Sequence, residues 1–318
     1  MPLTGVLSRP DQVSAVVTAR ATGKPVEVLS QRSQTSRQFV LPDGRMYAET
    51  SGAPVQFKDP SATTTGGWRR VDTTLVSDSA GIHPRAVPGT VTLGTGTADV
   101  VSDVEADGTG ARFGLEGVSL PAPTLSGSTA TYKDVVVGVD LEVEVRPAGF
   151  EVSWLVRDAA GAKALVDKYT SGGSVVLPAV VSGVGLEPQA ASGGVDLVDG
   201  AKKVRGRIGE PLMWDATGAA TGVQKPVAAT LSAGAVTRKA ARSGKAKQVT
   251  SRPVGVGAGR AWLTDPARTF PITIDPTYAI AKAWPVFDTY VQNGVTSDVS
   301  TSSELKLGDN GSNQDARI

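Results

Sequence analysis

Three carboxylates alternate with apolar residues along one segment of the chain. Asp140, Glu142 and Glu144 occupy every second position, so on a β-strand they would share one face. Glycosidases use two carboxylates in this way, one as general acid and one as nucleophile. The same alternation is typical of a strand with one buried and one solvated face, and the nearby Phe150 and Trp154 fall on the apolar face. We therefore favour a solvated strand face and keep a glycoside hydrolase as the alternative.

The single histidine is His83, in the Pro-flanked segment 81–85 (GIHPR). A hydrolase of the Ser-His-Asp type would have to use it as general base. The chain has no G-x-S-x-G motif to present a serine nucleophile, so we expect a surface-loop histidine. The absence of cysteine also excludes disulfides, zinc–thiolate sites and a cysteine nucleophile.

The segment 309–315 (DNGSNQD) is rich in side-chain oxygens. Such oxygens are the ligands that Ca²⁺ prefers, and Asp309, Asn313 and Asp315 are the candidates. Their order departs from that of an EF-hand loop, and a turn between strands uses the same residue types. Calcium is therefore the one candidate cofactor, and no catalytic residue is assigned.

Nucleotide and nucleic-acid sites are not indicated. The chain has no G-x-x-x-x-G-K-[ST] motif, and the segment 255–259 (GVGAG) follows a basic segment rather than a strand. We interpret GVGAG as flexible. The basic segment near 236–252 has no apolar periodicity and no interleaved aromatic residue, which predicts a mobile, solvated loop. The net charge of +1 favours no nucleic-acid partner.

The composition indicates the class of fold that must position these residues. Valine-rich segments are interrupted by many of the 37 glycines and 20 prolines, a pattern that predicts short strands and turns. We predict an all-β fold, mainly antiparallel and β-sandwich-like, with one short N-terminal helix. No segment approaches the roughly 18 uninterrupted apolar residues of a membrane span, so none is expected.

The N-terminal helix is predicted from capping and periodicity. Ser8 and Asp11 have capping-box spacing. Val13, Val16 and Val17 would share the helix face that packs.

Period-two alternation predicts the strands. One hairpin turns at 42–44 (PDG), the clearest joins Val139–Arg146 to Phe150–Val156, and Trp68–Val76 reads as one strand. Further strands are predicted at Arg112–Leu115, Ser174–Leu177, Val195–Val198, Val204–Ile208 and Thr269–Ile274.

We predict three parts: a helix and hairpin segment over 1–60, a β-rich domain over 61–280, and the start of a further β domain over 286–318. No signal peptide is visible at the N-terminus, because no basic region with a following apolar run is present. The chain also stops within a patterned region, so we expect a fragment of a longer protein.

Four segments, taken together and in this order, carry a family resemblance. They are GGWRRVDTTLV (66–76), YKDVVVGVDLEVEV (132–145), EPLMWDATG (210–218) and WLTDPARTFPITIDPTY (262–278). The ordered set resembles the pre-repeat region of actinobacterial Rhs/YD-repeat secreted proteins, over most of residues 10–280. The last phrase departs from the family pattern, with Ile272 in place of valine and one residue fewer before Phe270.

The segment from Phe287 to Gly308 resembles the opening of a DNRLRE domain, a β-sandwich module of secreted and cell-wall proteins. The two resemblances imply export, a secreted or cell-surface location and a β-rich scaffold. They transfer no catalytic residue, because the matched phrases are strand and turn residues.

Three hypotheses of function remain open. The first, which we favour, is a non-catalytic structural or binding module of a large exported cell-surface or toxin-delivery protein of the Rhs type. The second is a glycoside hydrolase that uses the strand carboxylates, and the third is a carbohydrate-binding adhesin that uses the C-terminal module. The expected partners are cell-wall or surface polysaccharide, or the rest of the same polypeptide.

Overall fold

The computed structural model describes residues 6–62, 67–96, 99–171, 173–217, 227–228, 230–239, 247–275, 277–280, 291–292, 308–309 and 315–317. Strands account for 53% and helices for 13%, which confirms the prediction of an all-β fold with a short N-terminal helix. The chain divides into two compact units, Met1–Lys282 and Ala283–Ile318. No helix within the described ranges has the length and apolar character needed to cross a bilayer.

The described part of the first unit contains three α-helices and one short 3-10 helix: α1 (Gln12–Thr22), α2 (Ala159–Tyr169), α3 (Arg260–Leu263) and the 3-10 helix Leu29–Gln31. Its strands up to the middle of the chain are β1 (Leu7–Arg9), β2 (Val26–Val28), β3 (Ser36–Val40), β4 (Met46–Thr50), β5 (Gln56–Lys58), β6 (Trp68–Arg70), β7 (Asp72–Asp78), β8 (Gly81–Ala86), β9 (Thr90–Leu93), β10 (Val101–Val104), β11 (Gly110–Gly114), β12 (Thr124–Ser126), β13 (Thr129–Val136), β14 (Val139–Arg146) and β15 (Gly149–Val156). The strands that follow are β16 (Thr170–Ser171), β17 (Ser174–Val184), β18 (Glu187–Ala191), β19 (Gly194–Val198), β20 (Val204–Ile208), β21 (Leu212–Asp215), β22 (Val227–Ala228), β23 (Thr230–Ala233), β24 (Thr237–Lys239), β25 (Val249–Gly259), β26 (Ile272–Asp275) and β27 (Thr277–Ile280).

Helix α1 crosses between β1 and β2, which pair in parallel at the edge of a sheet with the order β1-β2-β3-β4. Asp11 is the N-cap, and its carboxylate accepts a hydrogen bond from the Ser14 N–H at 2.9 Å. The predicted packing face is wrong for Val13 and Val17, which are 76% and 64% exposed, whereas Val16 is partly buried and packs beside the fully buried Ala15 and Ala19. The small side chains of Ala15 and Ala19 let the helix pack close to the sheet, so the face that contains them is the buried one.

The N-terminal sheet contains a buried ion cluster. The carboxylate of Glu27, 1% exposed, accepts hydrogen bonds from Arg32 at 2.6 and 2.7 Å and from Arg37 at 2.8 and 3.0 Å. Burial alone would raise the pKa of Glu27, but the hydrogen bonds from the two guanidiniums outweigh it and lower the pKa. The cluster links β2 to β3 and to the turn between them.

Two large sheets and a two-stranded antiparallel sheet, β5-β6, follow in the first unit. One has ten strands, in the order β23-β25-β17-β11-β10-β9-β8-β7, with β16 on β17 and β24 on β25. The other has eleven, in the order β12-β13-β14-β15-β27-β20-β19-β18, with β26 joining β15 to β21 and β22 beside β21. Both contribute to one apolar core. Its largest fully buried side chains include Trp154, Tyr132, Phe113, Phe150, Leu141 and Leu177.

The hairpin β14–β15 is confirmed at the register that the alternation predicts. Val139 pairs with Val156 and Val145 with Phe150, so the apolar residues of both strands face the core. The predicted strand Val204–Ile208 is likewise confirmed with the same bounds.

Helix α2 has no counterpart in the sequence prediction. Asp158 caps it by accepting a hydrogen bond from the Gly161 N–H at 2.8 Å, and Leu165 and Val166 are buried against both large sheets. A Cβ on Gly161 would lie 2.4 Å from the Gly138 carbonyl oxygen, so only glycine allows this approach of the helix to the β13–β14 turn.

Several predicted boundaries are wrong. Residues 255–259, interpreted as flexible, form the end of β25, whose whole length pairs with β17 inside the ten-stranded sheet. The basic segment begins and ends in strands, because Thr237–Lys239 pairs with Val249–Ser251; residues 240–246 lie outside the described ranges. The strand predicted over Trp68–Val76 is interrupted at Val71, and the one predicted from Thr269 begins at Ile272.

In the second unit, the described strands are β28 (Val291–Gln292), β29 (Gly308–Asp309) and β30 (Asp315–Arg317). They form a three-stranded antiparallel sheet in the order β28-β30-β29.

Candidate functional site

Asp140 is not on a solvated face, contrary to the prediction. It is 4% exposed, and its carboxylate accepts a hydrogen bond from the Asp134 N–H at 2.9 Å. A guanidinium nitrogen of Arg157 lies 3.5 Å from the same oxygen. Arg157 also pairs with the carboxylate of Asp134. Asp140 therefore holds the end of the β13–β14 hairpin against the residue that follows β15.

Glu142 and Glu144 are half-buried, and each carboxylate contacts a neighbouring side chain. Thr131 lies opposite Glu142 on β13 and donates a hydrogen bond to it at 3.2 Å. Glu144 lies directly opposite Glu151, a like-charged pair that would be destabilising by itself. Arg146 offsets it, because its guanidinium lies 3.1 Å from Glu144 and also contacts Glu151. Both carboxylates thus have structural partners.

A different carboxyl, Asp103 on β10, lies inside the sandwich. It is 5% exposed and pairs in register with Val91 and Ala111, both buried. Burial, with a smaller contribution from the charge of Glu105, raises its pKa to about 7. Sequence reasoning missed this residue, although its spacing of two from Val101 was a signal for an inward-facing position.

A partly open cavity of about 220 Å³ is lined by Tyr278, whose pKa the charge of Asp103 helps to raise, but Asp103 itself does not line it. Glu105 and Tyr278 line the cavity, together with Arg205 and Lys203. Burial, with further contributions from Asp103 and Glu105, raises the pKa of Tyr278 well above its ordinary value. Asp103 lines neither this cavity nor the groove of about 710 Å³ that lies beside His83.

His83 lies in strand β8 rather than in the predicted loop. Its Nε2 is 3.2 Å from a carboxylate oxygen of Asp78, and its Nδ1 is 3.0 Å from the Pro84 carbonyl oxygen. The hydrogen bonds to Pro84 and then to Asp78 raise the pKa of His83. The described hydrogen bonds of this histidine reach no serine, so the geometry does not assemble a catalytic triad.

The largest described surface cavity, about 710 Å³, is an open groove beside His83. It lies between the β5–β6 pair and the strands β8 and β9. We call it the basic groove, because its charged lining residues are Lys58, Arg69, His83 and Arg85 against Asp59 and Glu105.

The tryptophans offer no exposed platform for a sugar in the part of the chain that is described. Trp154 is fully buried, as predicted. Trp68, Trp214 and Trp262 are half-buried, and Trp284 lies outside the described residues.

The predicted calcium ligands lie in the second unit. Asp309 and Asp315 are opposite each other in the β29–β30 pair, and Asn313 lies outside the described residues. Within the described ranges, no group of three or more His, Asp or Glu residues is arranged to hold a metal ion. The calcium site stays a prediction.

The comparisons with known proteins give no family assignment: no family model, no curated protein and no solved structure matches the chain. The Rhs and DNRLRE resemblances accordingly stay predictions.

Proposed function

We propose that this chain is a non-catalytic structural and binding module of a large exported cell-surface protein of the Rhs type. The observation that carries the proposal is that the three carboxylates of β14 are engaged in ion pairs and hydrogen bonds within the fold. Asp140 is buried in an ion cluster, and Glu142 and Glu144 each bond a neighbouring side chain. A glycosidase pair would instead stand clear on both sides of a scissile bond.

The pair Asp103 and Glu105 also favours a structural role. Catalytic acid–base pairs are recognised by environments that move two pKa values apart, and Asp103 fits this pattern. A general acid must also come within hydrogen-bond distance of its substrate. Asp103 lines neither the cavity of about 220 Å³ nor the basic groove, which favours a structural role for this carboxyl.

The Rhs part of the proposal depends on the four ordered sequence phrases. These phrases supply β6 and β7, β13 and β14, β21, and the stretch from α3 to β27. They therefore supply several strands of the eleven-stranded sheet, the edge strand β7 of the ten-stranded sheet and β6 of the two-stranded sheet, as expected of scaffold residues.

Hydrolysis assays test the non-catalytic part. We expect no enzyme-dependent release of reducing ends from a panel of bacterial cell-wall and plant glycans. Turnover by the parent protein that is abolished in both Glu142→Gln and Glu144→Gln would refute the proposal.

The coding sequence on both sides of this chain tests the exported part. We expect a signal peptide upstream and YD repeats downstream. A reading frame with neither would contradict export as an Rhs-type protein.

A further inference from the structure

The basic groove has the size and shape of a ligand site. Its volume of about 710 Å³ lies within the range of roughly 300–1,000 Å³ that is usual for small-molecule sites. The exposed threonines Thr90 and Thr92 of β9 present hydroxyls along one wall, and Phe57 of β5 contributes apolar surface to the other. An open groove of this kind fits a chain-like ligand better than a compact one.

The positive charges of the groove are held in place by the fold. The guanidinium of Arg69 lies 3.1 Å from Asp59 and donates a hydrogen bond to the Arg85 carbonyl oxygen at 2.9 Å. It therefore bridges β6 and β8 across the groove. The ammonium of Lys58 lies 4.8 Å from the ring centre of Trp68. Fixed cations lose less entropy when an anion binds than mobile ones do.

His83 adds a charge that depends on pH. Both of its ring nitrogens face oxygen acceptors, the Asp78 carboxylate and the Pro84 carbonyl, so the doubly protonated ring satisfies both contacts. The raised pKa of His83 agrees with this protonation. Besides its partner Asp78, the charged groups that share the groove with His83 are Lys58, Asp59, Arg69, Arg85 and Glu105.

We propose that the basic groove binds an acidic polysaccharide, with Arg69 and Arg85 contacting carboxylates of the sugar chain and the threonine hydroxyls of β9 contacting its hydroxyl groups. This inference deepens the proposed binding role by naming its ligand class. Guanidiniums bind carboxylates in a bidentate manner, which suits uronic acids. Single-stranded nucleic acid is disfavoured because stacking needs successive aromatic rings. The described residues that line the groove include two aromatic rings, Phe57 and His83, which lie on different strands and give no run of successive rings.

Isothermal titration calorimetry of the full chain tests the inference, with hexagalacturonate as the acidic probe and maltohexaose as its neutral match. We expect heat of binding for hexagalacturonate alone, weakening as salt is added. The double variant Arg69→Gln/Arg85→Gln should bind at least about tenfold more weakly, a loss of roughly one charge-assisted hydrogen bond. The single variant Arg85→Gln should bind more weakly too, and it retains the fold because this side chain is exposed.

The matched control removes two arginines far from the groove. Arg9→Gln/Arg45→Gln makes the same change of net charge on exposed residues and should bind like the parent. Raising the pH through the histidine range should weaken binding by the parent, and His83→Gln should remove most of that dependence.

Three outcomes would overturn the inference: equal binding of maltohexaose, undiminished binding by the groove variants, or tighter binding of a thymidine oligonucleotide. Absence of any hexagalacturonate binding would also overturn it. That result leaves the non-catalytic proposal standing, because the release of reducing ends tests that proposal separately.

Discussion

The substitution Asp103→Asn should change the stability of the protein relative to the parent in a way that depends on pH, and the change should favour the variant more at neutral pH than in acid. In the unfolded chain the carboxyl has its ordinary pKa of 3.8, whereas burial raises the pKa to about 7 in the folded protein. Between these values the folded state holds a proton that the unfolded state has released. The free energy of unfolding contributed by Asp103 is therefore highest below pH 3.8 and falls as the pH rises to about 7.

The size of this effect follows from the displacement of the pKa. One pH unit corresponds to about 1.4 kcal/mol, so the rise from 3.8 to about 7 removes about 4 kcal/mol by mildly alkaline pH. Asparagine has nearly the same shape and no titrating proton. Any penalty for its buried amide is the same at every pH, so the change with pH isolates the carboxyl.

Urea unfolding followed by tryptophan fluorescence measures the effect, between about pH 4 and pH 8. The free energy of unfolding of the variant minus that of the parent should increase by about 4 kcal/mol from the low to the high end of that range. Asp167→Asn is the matched control, because the Asp167 side chain is 60% exposed and should give a flat difference. Parallel pH profiles for Asp103→Asn and the parent would refute the reasoning.

Three further substitutions test the packing by the same unfolding assay. Glu27→Gln should cost about 3–5 kcal/mol because it removes the buried carboxylate that Arg32 and Arg37 share. Glu49→Gln, which removes only the second partner of Arg37 at a side chain 48% exposed, should cost less than about 1 kcal/mol; equal losses would contradict the burial argument. Gly161→Ala should cost about 1–3 kcal/mol or more, since the new Cβ would lie 2.4 Å from a backbone oxygen, and a neutral result would show that α2 can move away. Trp154→Phe should cost less than about 1.5 kcal/mol, because the buried indole N–H has no hydrogen-bond partner in the described structure; a loss as large as that of Trp154→Ala would show that the N–H is satisfied.

Local patterns were sufficient for the strands whose partners are adjacent in sequence. The β14–β15 hairpin was predictable because its alternation and its turn lie within eighteen residues, Val139–Val156. Helix α2 also carried readable signals, with Asp158 at the N-cap and apolar residues at Ala162, Leu165 and Val166.

Long strands with distant partners were not predictable in this way. Residues 255–259 are glycine-rich and look flexible by themselves, yet they continue β25 because β17, some eighty residues earlier in the sequence, pairs along its whole length. Backbone hydrogen bonds from a distant strand outweigh the weak strand preference of glycine there.

The sequence by itself determined the class of fold, the main hairpins and the chemistry that is excluded, since a chain without cysteine forms no disulfide whatever its fold. Only the tertiary structure decided the role of each carboxylate. Asp140 alternates like a solvated residue and is buried, because Arg157 and the Asp134 N–H cover it. Asp103 is likewise buried because its strand β10 lies between β9 and β11, where its partners Val91 and Ala111 are also buried. Periodicity fixes which face of a strand a side chain occupies, but distant segments decide whether that face meets water.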